Sequence, residues 1–355
     1  MAHFLERRRR SLMASSLTDL GLETPILAAP MAGSPTTPEL VVAAAGAGGL
    51  GFLAAGYKTA EVLREQIAHV RSAGVGFGVN LFAPNPMPVD SEAFRTFADA
   101  IAPEFRSYGL DTAQTPVVED DDHWADKLDL LLSSPVPVVS FTFGLPEPSV
   151  ITAFRRAGTL VVQTVTSPVE ARAAAESGVD VLAVQASAAG GHSGTWTPQH
   201  TPPAVPLPDL LRAVRQEVSV PLVAAGGIGT PDAVAKAIVA GAAAVMVGTV
   251  LLRADEAGTS EPYRDALADP QRRRTVVTRA FTGRPARALT NDFTDRYSAL
   301  APDGYPALHH LTSSLRSAAT AAGDPERINL WAGTGYRHAT AEPAARILQK
   351  LASMV

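Results

Sequence analysis

The residues best placed to do chemistry lie in one stretch, Val181-Leu-Ala-Val-Gln185-Ala-Ser-Ala-Ala-Gly190-Gly191-His192-Ser-Gly194. Four apolar residues read as a buried strand, which runs into small residues, two adjacent glycines and a histidine. Glycine lets a backbone come close to another group. Histidine titrates near neutrality, so His192 is the candidate catalytic residue, as a general base or as a hydrogen-bonding group. A second constellation is Ala225-Gly226-Gly227-Ile228-Gly229-Thr230-Pro231-Asp232. There an apolar run ends, glycines expose N–H groups and a helix opens. Unpaired N–H groups at a helix start, together with the helix dipole, hold phosphate. Val247-Gly248-Thr249 offers a similar feature one unit later. The pattern predicts a large ligand with a phosphate, held by bare backbone beside one imidazole.

Other residues offer less. Asn80 ends an apolar run and serves either a ligand or the backbone around it. Asp120-Asp121-Asp122-His123 reads as a solvated acidic loop, and His309-His310 as part of a surface helix without a role. Gly46-Ala-Gly48-Gly49-Leu-Gly51 has the dinucleotide spacing, but it closes a helix and opens a strand, the reverse of what that fingerprint needs. The chain has no cysteine, which removes disulfides, thiolate ligands and cysteine nucleophiles. No strand ends in a carboxylate or a histidine pair, so no metal is expected. Lys58, Lys127, Lys236 and Lys350 all fall outside strands, which argues against Schiff-base chemistry.

The net charge of -5 argues against nucleic acid as a partner. No apolar run is long enough to cross a membrane. Arg7 to Arg10 are followed by polar residues that break any export signal, so residues 1–20 read as a solvated tail and the expected location is cytoplasmic.

The elements that must position these groups alternate in type. Apolar runs recur at Ile26 to Ala29, Leu50 to Leu53, Gly76 to Leu81, Val136 to Phe141, Thr159 to Val165, Asp180 to Gln185, Val220 to Ala225 and Ala244 to Val247. Helical patterns separate them, with glycine or proline at the joints. Parallel strands with crossover helices give this pattern. Eight units over residues 21–252 predict an α/β fold, a closed (β/α)8 TIM barrel; an open doubly wound sheet is the alternative. Residues 253–322 read as a helical subdomain over the barrel mouth. Residues 323–355 end in a helix that packs back on the barrel. In such a barrel the active site lies at the carboxyl ends of the strands, where His192, Asn80 and the two glycine-rich loops fall.

The chain resembles the nitronate monooxygenase family, formerly 2-nitropropane dioxygenases. The resemblance rests on Ala29-Pro30-Met31-Ala32-Gly33, Gly49-Leu50-Gly51-Phe52, Gly78-Val79-Asn80, Gly190-Gly191-His192-Ser-Gly194, Ala225-Gly226-Gly227-Ile228, Met246-Val247-Gly248-Thr249 and Leu330-Trp331-Ala332-Gly333. It implies an FMN-dependent barrel. Met31 would lie beside the flavin ring and Asn80 would hydrogen-bond it. Gln185 and Gly190 would continue the flavin site, with Gly226 in the neighbouring loop. Gly227, Met246, Val247, Gly248 and Thr249 would hold the phosphate, and His192 would face the substrate. The implied reaction oxidises an alkyl nitronate, or a nitroalkane, with O₂ to a carbonyl compound and nitrite. Family members often carry glycine after the glutamine and Glu-Ala before the two glycines. Here Ala186 and Ala188-Ala189 stand instead, and Thr334 replaces a usual glutamine. The alternatives are an NAD(P)H-dependent flavin enoyl-thioester reductase of the same superfamily and a non-enzymatic flavin-binding protein.

Overall fold

The computed structural model describes residues 22–355. The Arg7 to Arg10 run lies outside the described residues. In chain order the first half comprises β1 (Ile26–Ala28), α1 (Pro38–Gly46), β2 (Leu50–Ala54), α2 (Ala60–Ser72), β3 (Phe77–Phe82), α3 (Ser91–Arg106), α4 (Trp124–Ser133), β4 (Val138–Thr142), α5 (Pro148–Arg156) and β5 (Leu160–Val165). Then follow α6 (Pro168–Glu176), β6 (Val181–Gln185), β7 (Gly191–His192), α7 (Leu207–Glu217), β8 (Leu222–Ala225), α8 (Pro231–Val239) and β9 (Ala244–Val247). The C-terminal part contains α9 (Glu261–Ala268), β10 (Thr275–Thr278), β11 (Ala286–Leu289), α10 (Asp292–Tyr297), α11 (Ala307–Ala321) and α12 (Ala344–Ala352).

β1, β2, β3, β4, β5, β6, β8 and β9 close into a parallel barrel, the (β/α)8 TIM arrangement expected from the alternating pattern. Period-two alternation sorts the side chains of each strand. Val181 and Ala183 of β6 join Leu27, Phe52, Val138, Val223 and Met246 in one buried cluster that fills the barrel. Leu182 and Val184 point the other way, into the apolar layer shared with the helices. The helix starts follow local rules. Thr37, Thr59, Ser167 and Thr230 each accept a backbone N–H with the side chain, and proline holds the first turn of α1, α6 and α8. The glycines between α1 and β2 serve the joint: Gly49 passes so close to β1 that an added Cβ would stand 2.2 Å from the Ile26 carbonyl oxygen.

The segment after β9 departs from a purely helical reading. It holds α9, α10 and α11, but also an antiparallel hairpin, β10 and β11. The second strand of that hairpin, β11, is the middle strand of the sheet and also pairs with β7, placing Ala286 opposite His192 and Arg287 opposite Gly191. Arginines at 272–274, 279, 284 and 287 obscure the strand signal in the sequence. α12 buries Ala344, Ile347, Leu348 and Leu351 against the barrel's apolar layer, beside α1 and α8. Among the described residues no helix is long and apolar enough to cross a membrane.

Candidate active site

The loops at the carboxyl ends of the strands surround a cavity of about 760 Å³, within the range of small-molecule and cofactor sites. Its lining includes Met31, Asn80, Gln185, Gly190, Gly226, Gly227, Met246, Val247, Gly248, Thr249 and His192. The structure thus brings the candidate catalytic histidine and the candidate cofactor-binding residues of the sequence into one space.

One wall is backbone. Gly226 has φ +111°, and a Cβ there would stand 2.9 Å from the Ala186 carbonyl oxygen and 3.0 Å from the Ala189 nitrogen. Gly190 packs so closely on residues 332 and 333 that a Cβ would fall 2.4 Å from the Gly333 nitrogen. The loops after β6 and β9 are tied to this late segment. Thr334 N–H donates to the Ala188 carbonyl (3.0 Å), and Gly333 N–H donates to the Thr249 hydroxyl (3.0 Å). α8 begins directly behind, capped by Thr230. Side chains are excluded and a helix N-terminus stands behind, which is the arrangement that suits a phosphate.

The amides hold geometry. Asn80 Nδ2 donates to the Ser140 hydroxyl (2.9 Å) and the Thr142 hydroxyl (3.0 Å), which fixes how its carboxamide lies. Gln185 Oε1 accepts from Gly194 N–H (2.7 Å), and its Nε2 donates to the His192 carbonyl (3.2 Å). One amide therefore staples both sides of the turn that carries the histidine. Arg287 adds a bond to the Ser187 carbonyl (2.7 Å).

His192 Nε2 lies 2.9 Å from the Thr282 hydroxyl. The ring is packed among Phe143 (5.6 Å), Tyr305 (5.8 Å) and Trp331 (5.3 Å). Burial, then the charges of Arg284 and Arg316, push its pKa down to about 3. The imidazole is thus neutral at any ordinary pH. Arg284 itself is fully buried and stacks over the Phe143 ring at 4.0 Å. It donates to the Thr195 and Phe143 carbonyls, one guanidinium nitrogen has no partner, and no carboxylate pairs with it among the described residues. Burial lowers its pKa to about 10, which leaves it charged.

The nitronate monooxygenase family model matches residues 14–353. The chain belongs to the nitronate monooxygenase family. A relative in Staphylococcus aureus, described as a probable nitronate monooxygenase, is 36% identical over 341 residues, covering 95% of each chain. Among solved structures, the nitroalkane oxidase from Streptomyces ansochromogenes superposes with a TM-score of 0.90 at 45% identity, covering 96% of this chain and 97% of that one. FabK from Thermotoga maritima is more distant, with a TM-score of 0.73 at 27% identity over 94% of both chains. Membership makes this chain an enzyme, a flavin-dependent oxidoreductase.

Two sequence readings are corrected. His309 is no surface residue without a place: it lines the cavity and stacks on Tyr57, ring centroids 4.0 Å apart. The acidic loop is not simply solvated either. Asp122 pairs with buried Lys127 (2.7 Å) and accepts the Tyr57 N–H (2.8 Å), pinning Tyr57 at φ 65°. Sequence reasoning also missed Arg284, Tyr305 and Arg316, which come from the segment beyond the barrel. A helical stripe was the available signal for part of this. His309, Ser313, Arg316, Ser317 and Thr320 recur at three- and four-residue spacing and all line the cavity. Among the described residues no cluster of His, Asp or Glu could hold a metal ion.

Proposed function

We propose that this enzyme oxidises alkyl nitronates with O₂ to a carbonyl compound and nitrite, using FMN as its flavin. The carrying observation is that a side-chain-free cradle and a neutral imidazole flanked by two cations, Arg284 and Arg316, share one cavity. The cradle fits the single phosphate of FMN: Gly226, Gly227, Gly248 and Thr249 would hold it, with Met31, Asn80 and Gln185 around the ring. When bound, the flavin takes electrons from the substrate and passes them to O₂, chemistry that no side chain here can supply.

The protein's part is recognition and exclusion of water. A nitronate arrives as an anion, and the two guanidiniums favour an anion in this space. His192 donates its one N–H to a nitronate oxygen. An imidazole held neutral by burial and cationic neighbours is a weak proton acceptor, so the enzyme prefers the nitronate to the neutral nitroalkane. Phe143, Tyr305 and Trp331 close the space around the reacting carbon.

The test uses the yellow purified protein, with ethyl nitronate and freshly dissolved nitroethane as substrates. The expected outcome is O₂ uptake with nitrite release from the nitronate and a much slower reaction with nitroethane. His192→Asn should lower kcat/KM for the nitronate by about 10- to 100-fold, the scale of one hydrogen bond to a charged group. Nitrite absent from wild-type reactions would reject the proposal. The similarity to FabK supports a second reading, reduction of an enoyl thioester. Anaerobic NADPH distinguishes them: a nitronate oxidase leaves its flavin coloured, a reductase bleaches it at once.

A further inference from the structure

A second imidazole faces the cavity from α11. His309 lies against Tyr57 with the two rings nearly parallel, at 6°. Its Nδ1 is 3.3 Å from an Arg316 guanidinium nitrogen, which also donates to the His309 carbonyl at 2.9 Å. The Arg316 Nε donates to the Thr312 hydroxyl (3.2 Å), so the guanidinium is held in place from two sides. No carboxylate pairs with Arg316 among the described residues, although it stands in the cavity lining.

These contacts fix the chemistry of the ring. A guanidinium carries donors only, so Nδ1 must present its lone pair to Arg316. In a neutral ring the proton is then on Nε2. A doubly protonated ring would set N–H against N–H beside a cation. Burial, then Arg316, His310 and His192, all act against protonation. Tyr57, stacked on the ring, carries a phenol whose own pKa burial raises to about 12, so it adds no charge. Nε2 has no hydrogen-bond partner among the described residues. His309 is therefore a standing donor without an acceptor, beside a cation without a counter-ion, in a wall that also offers Ser313 and Ser317. Both lacks are met by one kind of ligand, an oxygen of an anion.

We propose that His309 is a second substrate-contacting residue, fixed by Arg316 as an Nε2–H donor, and that the pair receives an anionic oxygen of the substrate. The identity of that oxygen as the nitronate's rests on the function proposed above. The two imidazoles then differ in kind. The partner of His192 is the Thr282 hydroxyl, which can donate or accept, so its tautomer is free to change. With its Nδ1 lone pair turned to Arg316, His309 can only donate toward the cavity.

The test takes the flavin-loaded enzyme with ethyl nitronate. His309→Phe keeps a ring against Tyr57 and removes both nitrogens. It should raise KM about 10- to 100-fold with a smaller change in kcat. His309→Gln, whose amide can accept from Arg316 and donate onward, should recover most of the loss. An unchanged KM in folded, flavin-loaded His309→Phe would overturn the assignment while leaving the nitronate reaction intact. Imidazole ¹⁵N NMR of the wild-type holoenzyme gives an answer that needs no turnover. His309 should show the Nε2–H tautomer, stay neutral through the mildly acid to mildly alkaline range, and shift its Nε2–H resonance when sodium nitrate is added. An Nδ1–H tautomer, or no response to nitrate, would refute the proposal even if nitronates are oxidised. If no nitronate is oxidised but these NMR results hold, the anion site stands and only the nitronate reading falls.

Discussion

The two walls of the cavity are built on opposite principles. On one side, the loops after β6, β8 and β9 present peptide groups and repel side chains, as the close approaches at Gly190 and Gly226 show. On the other, α11, the β10–β11 hairpin and Trp331 present rings and charges: His309 and Arg316 and, behind them, Tyr305 and Arg284. A backbone wall grips any group that brings the right phosphate geometry and is indifferent to the rest of the ligand. A side-chain wall discriminates, because each residue can be exchanged without moving the chain. Cofactor retention and substrate choice should therefore separate under mutation.

The sharpest way to break this contrast is Gly226→Val. The residue has φ +111°, a conformation closed to valine, and its Cβ would meet both the Ala186 carbonyl and the Ala189 nitrogen. FMN affinity should fall roughly a thousandfold, about 4 kcal/mol, read from the colour of the purified protein and by titration with FMN. Wild-type affinity in this variant would show that the backbone wall is not the grip.

The same contrast explains what the sequence discloses. Glycine runs at strand ends are local signals, as are the apolar runs of all eight barrel strands, and each has its physical meaning within a few residues. The side-chain wall has no such locality. Arg284 is an arginine with zero exposed surface, and arginine defaults to the outside unless tertiary packing buries it. His309 looks solvated because His310, its neighbour in sequence, does face outward to Asp120 at 2.8 Å. The hairpin strand β11 is completed by β7, only two residues long and far away in the chain. No period-two pattern can reveal such a partner. What was legible for this wall was the polar stripe on α11, and its meaning depends on knowing that the opposite face, Leu308, Leu311, Leu315 and Ala319, is buried.

The walls meet at Tyr57. It belongs to the loop after β2, but its ring stacks on His309 and its hydroxyl meets that of Tyr305 at 3.3 Å. Its positive φ is held by Asp122, which burial raises in pKa and Lys127 lowers again. Asp122→Ala would free the Tyr57 N–H and leave Lys127, 1% exposed, without its partner. The expected loss is about 2–3 kcal/mol of stability in urea unfolding, with FMN binding retained. Loss of flavin at unchanged stability would mean that the seam serves the backbone wall instead.

The smallest effect concerns acid. The side-chain wall and the turn it clasps carry two imidazoles that stay neutral in the fold, His192 with a pKa of about 3 and His309 well below the ordinary value of 6.5. In the unfolded chain both recover that ordinary value. Below about pH 6.5 the unfolded state binds protons that the folded state refuses, so stability falls as pH falls and is fully present above that point. Each histidine contributes a slope of at most about 1.4 kcal/mol per pH unit, down toward its folded pKa. Urea unfolding across mildly acidic buffers should therefore give a shallower slope for His192→Asn and for His309→Phe than for wild type. Gly226→Val, which touches no titrating group, should keep the wild-type slope whatever its effect on flavin. A wild-type slope in His192→Asn would mean that the folded protein accommodates the imidazolium. The guanidiniums of Arg284 and Arg316 would then not govern the charge of this site, and the preference for a ready-made nitronate would lose its electrostatic basis.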